Sequence, residues 1–228
     1  MRTLNAGSTE MIGSAVSRHT ALRKALLVCG ILAALVWLST DILASLHYAG
    51  YNYPFEPISG LSAIGAPTRP AVVLFDNVYL VLQMAFAIGV RMSAGTKRAL
   101  RVTPALLFAA GLVGLLSNGF PWNPAAAATT PGNVMHAILS GALTVLLILL
   151  IVWSGRGAGG RWFRLYTYAT LLVFFVVGAL SSQEGSRLMA GLSPRTLGLT
   201  ERVNAYGYML WMIVLAIVLL RIRRTEEE

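Results

Sequence analysis

The chain has 228 residues, of which 56% are hydrophobic and only 12% are charged. Soluble domains carry about a quarter charged residues, so the composition excludes an ordinary soluble domain. The net charge of +9 does not indicate a nucleic-acid-binding protein, because the basic residues follow a membrane-topology pattern described below.

The polar N-terminal segment, residues 1–24, precedes an apolar block from Ala25 to Leu46. A helix needs about twenty residues to cross a bilayer, whereas the apolar part of a cleaved signal peptide has about 7–15. The block is therefore predicted to be a signal anchor that stays as the first span. It contains Cys29, the single cysteine, which cannot form an internal disulfide and is predicted to be a core residue.

Five further apolar blocks of similar length follow, separated by connections rich in proline and glycine. They are Ala71–Val90, Val102–Gly119, Asn133–Trp153, Trp162–Ser182 and Asn204–Leu220. The predicted fold is an all-α bundle of six transmembrane helices, which forms a single domain at residues 25–220. A short tail, residues 221–228, follows the last helix.

The basic residues predict the orientation of the bundle. Fourteen of the 18 lysines and arginines lie in the two terminal segments and in the second and fourth connections. Cytoplasmic segments of membrane proteins carry such an excess. Both termini are therefore predicted to be cytoplasmic, and the first, third and fifth connections to lie outside.

The outer connections are predicted to pack on the bundle, because long uncharged loops are seldom free tails. In His47–Pro70, the aromatic residues Tyr48, Tyr51, Tyr53 and Phe55 suit the lipid interface. Ile58, Leu61 and Ile64 recur every three residues, which predicts a short interfacial helix that acts as a lid. Gln183–Val203 has a similar character, and Phe120–Gly132 contains no charge.

Polar side chains collect at the outer ends of the predicted spans, where ionisable groups are functional candidates. The segments Leu146–Val152 and Met212–Leu220, in the inner halves, contain no polar side chain. This distribution predicts a polar pocket that opens outward and is closed on the inside by apolar residues. The predicted ligand-binding residues are Ser59, Asn118, Ser140, Arg202, Asn204 and Tyr208.

Five residues are candidates for acid–base chemistry: Asp41, Glu56, Asp76, His136 and Glu201. Buried carboxylates and a histidine at one depth are suited to donate and accept protons. The alternative for Asp41 and Asp76 is structural, as partners of Arg202 or Arg69 that fix helix packing. Glu201 is also suited to a structural role at the start of a helix, where an acid interacts favourably with the helix dipole.

Two other roles are considered for His136, as a metal ligand and as the base of a serine nucleophile. With His47 and a carboxylate it would form a metal site, but no spaced motif such as His-Glu-x-x-His is present, and no metal is predicted. Ser59 would be a nucleophile with His136 as its base, but Ser59 lacks the Gly-x-Ser-x-Gly elbow. No cofactor can be named from the sequence.

Three segments together resemble the prokaryotic membrane family called domain of unknown function 998. They are Pro57-Ile-Ser-Gly-Leu-Ser-Ala-Ile-Gly, the stretch from Gly119-Phe-Pro to Gly132-Asn-Val-Met-His136, and Leu199-Thr-Glu-Arg-Val203. The resemblance implies a six-helix bundle in a prokaryotic cytoplasmic (inner) membrane and implies no known reaction. It marks Ser59, His136, Glu201 and Arg202 as signature positions. The family's acid after Phe-Pro is replaced here by Trp122 and Asn123.

The leading hypothesis from the sequence is a protein that binds an amphiphilic lipid or isoprenoid-like molecule from the outer leaflet. Its extension is that the molecule is transformed by acid–base hydrolysis, isomerisation or cyclisation. The alternatives are a small-solute transporter or channel, and a non-catalytic membrane subunit or sensor. A transporter needs a polar route through the inner half of the bundle, which the apolar inner segments do not favour.

Overall fold

The computed structural model describes residues 3–221, with the side chains of residues 17–221, so that most of the predicted tail lies outside the described residues. The predicted all-α architecture is confirmed. Six helices follow one another: α1 (Thr3–His47), α2 (Arg69–Ser93), α3 (Arg98–Ser117), α4 (Pro131–Gly155), α5 (Arg161–Met189) and α6 (Leu197–Arg221). Each is long and apolar enough to cross a membrane, α1 from Ser17 onward.

The helices form a closed ring, because each packs against the next along the chain and α6 packs against α1. We call the end that holds the α2–α3 and α4–α5 connections the basic end. The opposite end holds residues 48–68, 118–130 and 190–196, and we call it the acidic end. All five acidic side chains among residues 17–221 belong to it, namely Asp41, Glu56, Asp76, Glu184 and Glu201.

Three helices extend well beyond the predicted spans. α1 begins at Thr3 instead of Ala25, α5 continues past Ser182 to Met189, and α6 begins at Leu197 instead of Asn204. Hydropathy detects the part of a helix that lies in hydrocarbon, but it does not detect the polar turns that extend beyond it. Most of the predicted loop Gln183–Val203 is therefore helix, and only residues 190–196 connect α5 to α6.

The core at the basic end is apolar and closely packed. Leu150 and Ile151 of α4 have no exposed surface, and the same holds for Met212, Leu215 and Ala216 of α6. These residues belong to the two segments predicted to close the bundle on the inside. Such a core offers little support for the transporter alternative, which requires a polar route at this level.

At the acidic end, the first connection contains the short helix predicted there, as a 3₁₀ helix from Ile58 to Ser62. Leu61 packs inward and is 1% exposed, whereas Ile64 lies beyond the helix and is 50% exposed. The backbone N–H of Ile64 donates to the carbonyl oxygen of Trp122 at 2.9 Å. This bond joins the α1–α2 connection to the α3–α4 connection at the acidic end.

Orientation in the membrane stays a prediction that reporter fusions can test. Fusions after Arg98 and after Arg161 should report a cytoplasmic location, because both residues lie in strongly basic connections. A fusion near Ala126 should report the outside. A cytoplasmic signal at Ala126 would contradict the predicted topology, since three crossings precede that residue and a cytoplasmic location would require an even number.

Candidate functional site

The most extensively bonded side chain of the acidic end is Arg202, in the second turn of α6. It is 2% exposed. Its Nε donates to Oδ2 of Asp41 at 3.0 Å and its Nη2 donates to Oδ1 at 3.0 Å, so the pair is bidentate. This geometry is the strongest form of an arginine–carboxylate contact. It links the last helix directly to the first.

Nη1 of Arg202 holds the α1–α2 connection. Nη1 donates to the carbonyl oxygens of Tyr53 at 2.8 Å, Gly198 at 3.1 Å and Glu56 at 3.4 Å. The guanidinium carbon also lies 3.7 Å from the centre of the Tyr53 ring, a cation–π contact. One buried side chain therefore fastens the loop to both α6 and α1.

Two tyrosines complete the network around Asp41. The hydroxyl of Tyr206 donates to Oδ2 of Asp41 at 2.7 Å and lies 2.8 Å from the hydroxyl of Tyr53. Because the single proton of Tyr206 is directed to Asp41, Tyr53 must be the donor between the two hydroxyls. We call Asp41, Tyr51, Tyr53, Arg202 and Tyr206 the Arg202 cluster.

Tyr51 bonds Arg202 from outside the spanning helices. Its hydroxyl accepts from Nη2 of Arg202 at 2.9 Å and donates to the carbonyl oxygen of Pro57 at 2.8 Å. Burial raises the pKa of Tyr51 to about 12, although the Arg202 charge acts in the opposite direction. At neutral pH the phenol therefore keeps its proton and continues to donate to the loop.

Asp41 forms the pair with Arg202 that its structural alternative predicts. Glu201, next to Arg202, bonds the α1–α2 connection as well, since its Oε2 accepts the backbone N–H of Ile58 at 2.8 Å. It thereby caps the 3₁₀ helix Ile58–Ser62. The carbonyl oxygen of Glu56 takes part in the cluster, but its carboxylate bonds no residue of the described part.

His136 and its neighbours on α4 have other surroundings. Nδ1 of His136 lies 3.0 Å from the carbonyl oxygen of Phe120. A carbonyl only accepts, so Nδ1 carries the hydrogen of this bond, and Nε2 bonds no residue of the described part. The hydroxyl of Ser140 donates back to the carbonyl oxygen of His136 at 2.8 Å. The amide of Asn118 donates to Asn77 of α2 at 2.9 Å.

Asp76 makes no hydrogen bond with residues 17–221. Arg69, predicted with Arg202 as a possible partner of Asp76, instead bonds the carbonyl oxygen of Ser62 at 2.6 Å. Tyr208 instead lies deeper in the bundle, where its hydroxyl donates to Oε1 of Gln83 at 3.1 Å. The structure thus brings Asp41, Glu201 and Arg202 together, with the backbone of Glu56 beside them, and places Asp76, His136 and Tyr208 elsewhere.

Ser59, also predicted to bind ligand, lies in the 3₁₀ helix, and its hydroxyl bonds no residue of the described part. Among residues 17–221, no three side chains of histidine, cysteine, aspartate or glutamate lie close enough together to hold a metal ion.

Sequence reasoning missed the role of the tyrosines. Tyr51 and Tyr53 suit the lipid interface by composition, yet they pack on the Arg202 guanidinium and are only partly exposed. Tyr206, also absent from the predicted site, follows Arg202 by four residues and so lies on the same helix face. That spacing is the signal that would have identified it, because it places a tyrosine donor beside the carboxylate that pairs with Arg202.

A separate feature is a cleft of about 200 Å³ between α5 and α6. Apolar and aromatic side chains form most of its walls, and Asn204 is the amide among them. The lining residues are Tyr166, Ala169, Thr170, Val173, Phe174, Val203, Asn204, Gly207 and Leu210. Oδ1 of Asn204 is buried and bonds no residue of the described part. Gly178 of α5 faces this amide, and a Cβ built on it would lie 3.5 Å from Nδ2 of Asn204, an ordinary contact distance.

A model of the family described as "Protein of unknown function (DUF998)" matches residues 31–218, a range that contains the Arg202 cluster and the cleft. No curated protein and no solved structure matches the chain.

Proposed function

Since the chain belongs to the DUF998 family, whose function is unknown, we propose a function from its geometry: it binds a single-chain amphiphile in the cleft between α5 and α6. The proposed setting is the prokaryotic cytoplasmic membrane, with both termini in the cytoplasm. The observation that carries the proposal is the unpartnered amide of Asn204 among apolar walls.

An unbonded amide is costly at this position. Within hydrocarbon, an unsatisfied polar group costs several kcal/mol, because no water is present to bond it. A ligand with a hydroxyl or amide group would supply the missing bond. The amide of Asn204 can both donate and accept, so it suits a group that does the same.

The position of Asn204 also sets the direction of the ligand. Asn204 lies seven residues into α6, which is about 10 Å from the start of the helix at the acidic end. The cleft continues from there along apolar side chains to Leu210 and Tyr166. A molecule that enters from the leaflet at the acidic end would place its polar group at Asn204 and its chain along the cleft.

The volume limits the ligand to one chain. Pockets for drug-sized molecules measure roughly 300–1,000 Å³, and the cleft of about 200 Å³ is smaller. An isoprenoid alcohol or a similar single-chain amphiphile fits these requirements better than a two-chain phospholipid. The open side of the cleft faces the lipid, from which such a molecule would enter.

Acid–base transformation of the bound molecule remains part of the proposal. Asp41 is poorly suited to act as a base, since Arg202 and Tyr206 already bond both of its oxygens. Four other candidates keep an acid or base atom that bonds no residue of the described part, namely Glu56, Asp76, His136 and Glu201. None of the four lines the cleft, so any proton transfer by these residues would take place at the acidic end, beyond Asn204, and not within the cleft itself.

Photocrosslinking tests the binding site. We expect a diazirine-labelled isoprenoid alcohol to crosslink to α5 and α6, and to do so more strongly than the corresponding hydrocarbon. Asn204→Leu should abolish the preference for the alcohol, because it removes the amide. Gly207→Leu should abolish crosslinking of both probes, since its side chain would occupy the cleft.

Gly141→Leu is the matched control, because a side chain at Gly141 meets nothing within 4 Å. It should leave crosslinking unchanged. Equal labelling of Gly207→Leu and the unsubstituted chain would show that the probe does not occupy this cleft, and the proposal would be abandoned.

A further inference from the structure

The basic end carries a concentration of arginines that the cleft does not involve. Five of them belong to the adjoining ends of α3, α4 and α5, and we call them the arginine patch: Arg98, Arg101, Arg156, Arg161 and Arg164. All five are exposed. We propose that this patch binds the phosphate headgroup of an anionic phospholipid in the leaflet at the basic end.

The α4–α5 connection brings the patch together. A Cβ placed on Gly157 would lie 2.8 Å from Cβ of Ala99 and 3.1 Å from the backbone nitrogen of Leu100. The connection therefore packs directly against the first turn of α3, between Arg98 and Arg101. Ala158, the next residue, has no exposed surface, so this contact is a fixed part of the fold.

The positions of four of these arginines are unfavourable without an anion. Arg98 and Arg101 lie in the first turn of α3, and Arg161 and Arg164 in the first turn of α5, with no acid in either turn. The helix dipole places partial positive charge there, so it disfavours cations. By contrast, Arg91 and Arg221 lie in the last turns of α2 and α6, where the dipole favours them. An excess of basic residues that only sets the membrane topology does not require arginines in the first turns of helices.

No acid of the described part neutralises the patch. The described acids all lie at the acidic end, and none of the five arginines forms an ion pair with them. Arg101 bonds the carbonyl oxygen of Gly95, and Arg156 lies over the ring of Trp153. Neither contact supplies a negative charge, so an anionic partner is the missing complement.

The location selects a lipid as that partner. The patch lies at the ends of membrane-spanning helices, which is the level of the lipid headgroups. Trp162, between Arg161 and Arg164, is 82% exposed, and tryptophan is enriched at this interface. Arginine also matches the geometry of a phosphate group through paired N–H donors.

Calorimetric titration of the full chain in detergent tests the proposal. We expect dioctanoyl phosphatidylglycerol to bind more tightly than dioctanoyl phosphatidylcholine, and its affinity to fall as salt is added. Arg161→Gln with Arg164→Gln should weaken phosphatidylglycerol binding about 30-fold, the loss expected for two basic residues near a membrane surface.

Arg187→Gln with Arg195→Gln is the charge-matched control, because it removes two arginines from the acidic end. It should keep phosphatidylglycerol binding within about twofold. If the first variant fails to fold, Arg98→Gln with Arg101→Gln provides the same measurement. The proposal is overturned by equal binding of the two lipids, by an equal loss in the control, or by displacement of the lipid by equimolar inorganic phosphate.

Discussion

Replacing Arg202 with methionine should lower the free energy of unfolding by about 3–5 kcal/mol, because it leaves the buried Asp41 carboxylate without its counter-ion. This loss corresponds to a fall of roughly 10 °C in the melting temperature. The measurement can use Cys29, the single cysteine, whose reaction with a fluorogenic maleimide on heating reports unfolding.

A double-mutant cycle separates the two roles of Arg202. Asp41→Leu alone leaves the guanidinium bonded to the carbonyl oxygens of Tyr53 and Gly198. Adding Arg202→Met removes the unpaired charge but also these bonds. The double variant should therefore recover only part of the stability that Asp41→Leu loses. If the pair contributed electrostatics alone, removing both charges would restore all of it. Full recovery would mean that Arg202 does not hold the loop.

Gly198→Ala should also be severely destabilising. A Cβ at this position would lie 2.3 Å from the carbonyl oxygens of both Tyr53 and Glu56, and neither backbone atom can move aside cheaply. The loop must separate from α6, which would break the bond from Leu199 N–H to the carbonyl oxygen of Pro54. We expect a loss of about 3 kcal/mol or more, measured by the same thiol reaction.

Gly141→Ala is the control for this substitution. Gly141 is also a helical glycine, but a Cβ there meets nothing within 4 Å. Alanine is the better helix former, so this variant should keep or raise the stability, by up to about 1 kcal/mol. Equal melting temperatures for Gly198→Ala and the unsubstituted chain would contradict the close approach of α6 to the loop.

Six helices can be predicted from the sequence because bilayer thickness imposes one length on every apolar block. The ends of α5 and α6 cannot, since residues such as Gln183 and Glu201 are polar whether they form helix or loop. The short helix at Ile58 is predictable from local spacing. Its cap is not, because Glu201 is separated from Ile58 by 143 residues.

The candidate site is predictable only in part, because its contacts also join residues that are far apart in the sequence. Asp41 and Arg202 can be named as possible partners, because both are charged and lie at one depth. The choice between pairing and proton transfer depends on which way each helix faces. Tyr53, which is separated from Arg202 by 149 residues, has no local pattern that reveals its contact. The unbonded Oδ1 of Asn204 depends on which side chains of α5 lie opposite it, and the sequence of α6 does not encode these.

The pairing of the first helix with the last has a consequence for biosynthesis. Asp41 is synthesised 161 residues before Arg202. Throughout that interval the nascent chain holds a carboxylate in its first helix whose counter-ion does not yet exist. Ring closure, neutralisation of Asp41 and attachment of the α1–α2 connection all wait for one late event, the insertion of α6. A truncated chain that ends before α6 therefore differs from the finished protein in charge as well as in length. The unpaired carboxylate of Asp41 distinguishes incomplete chains from complete ones.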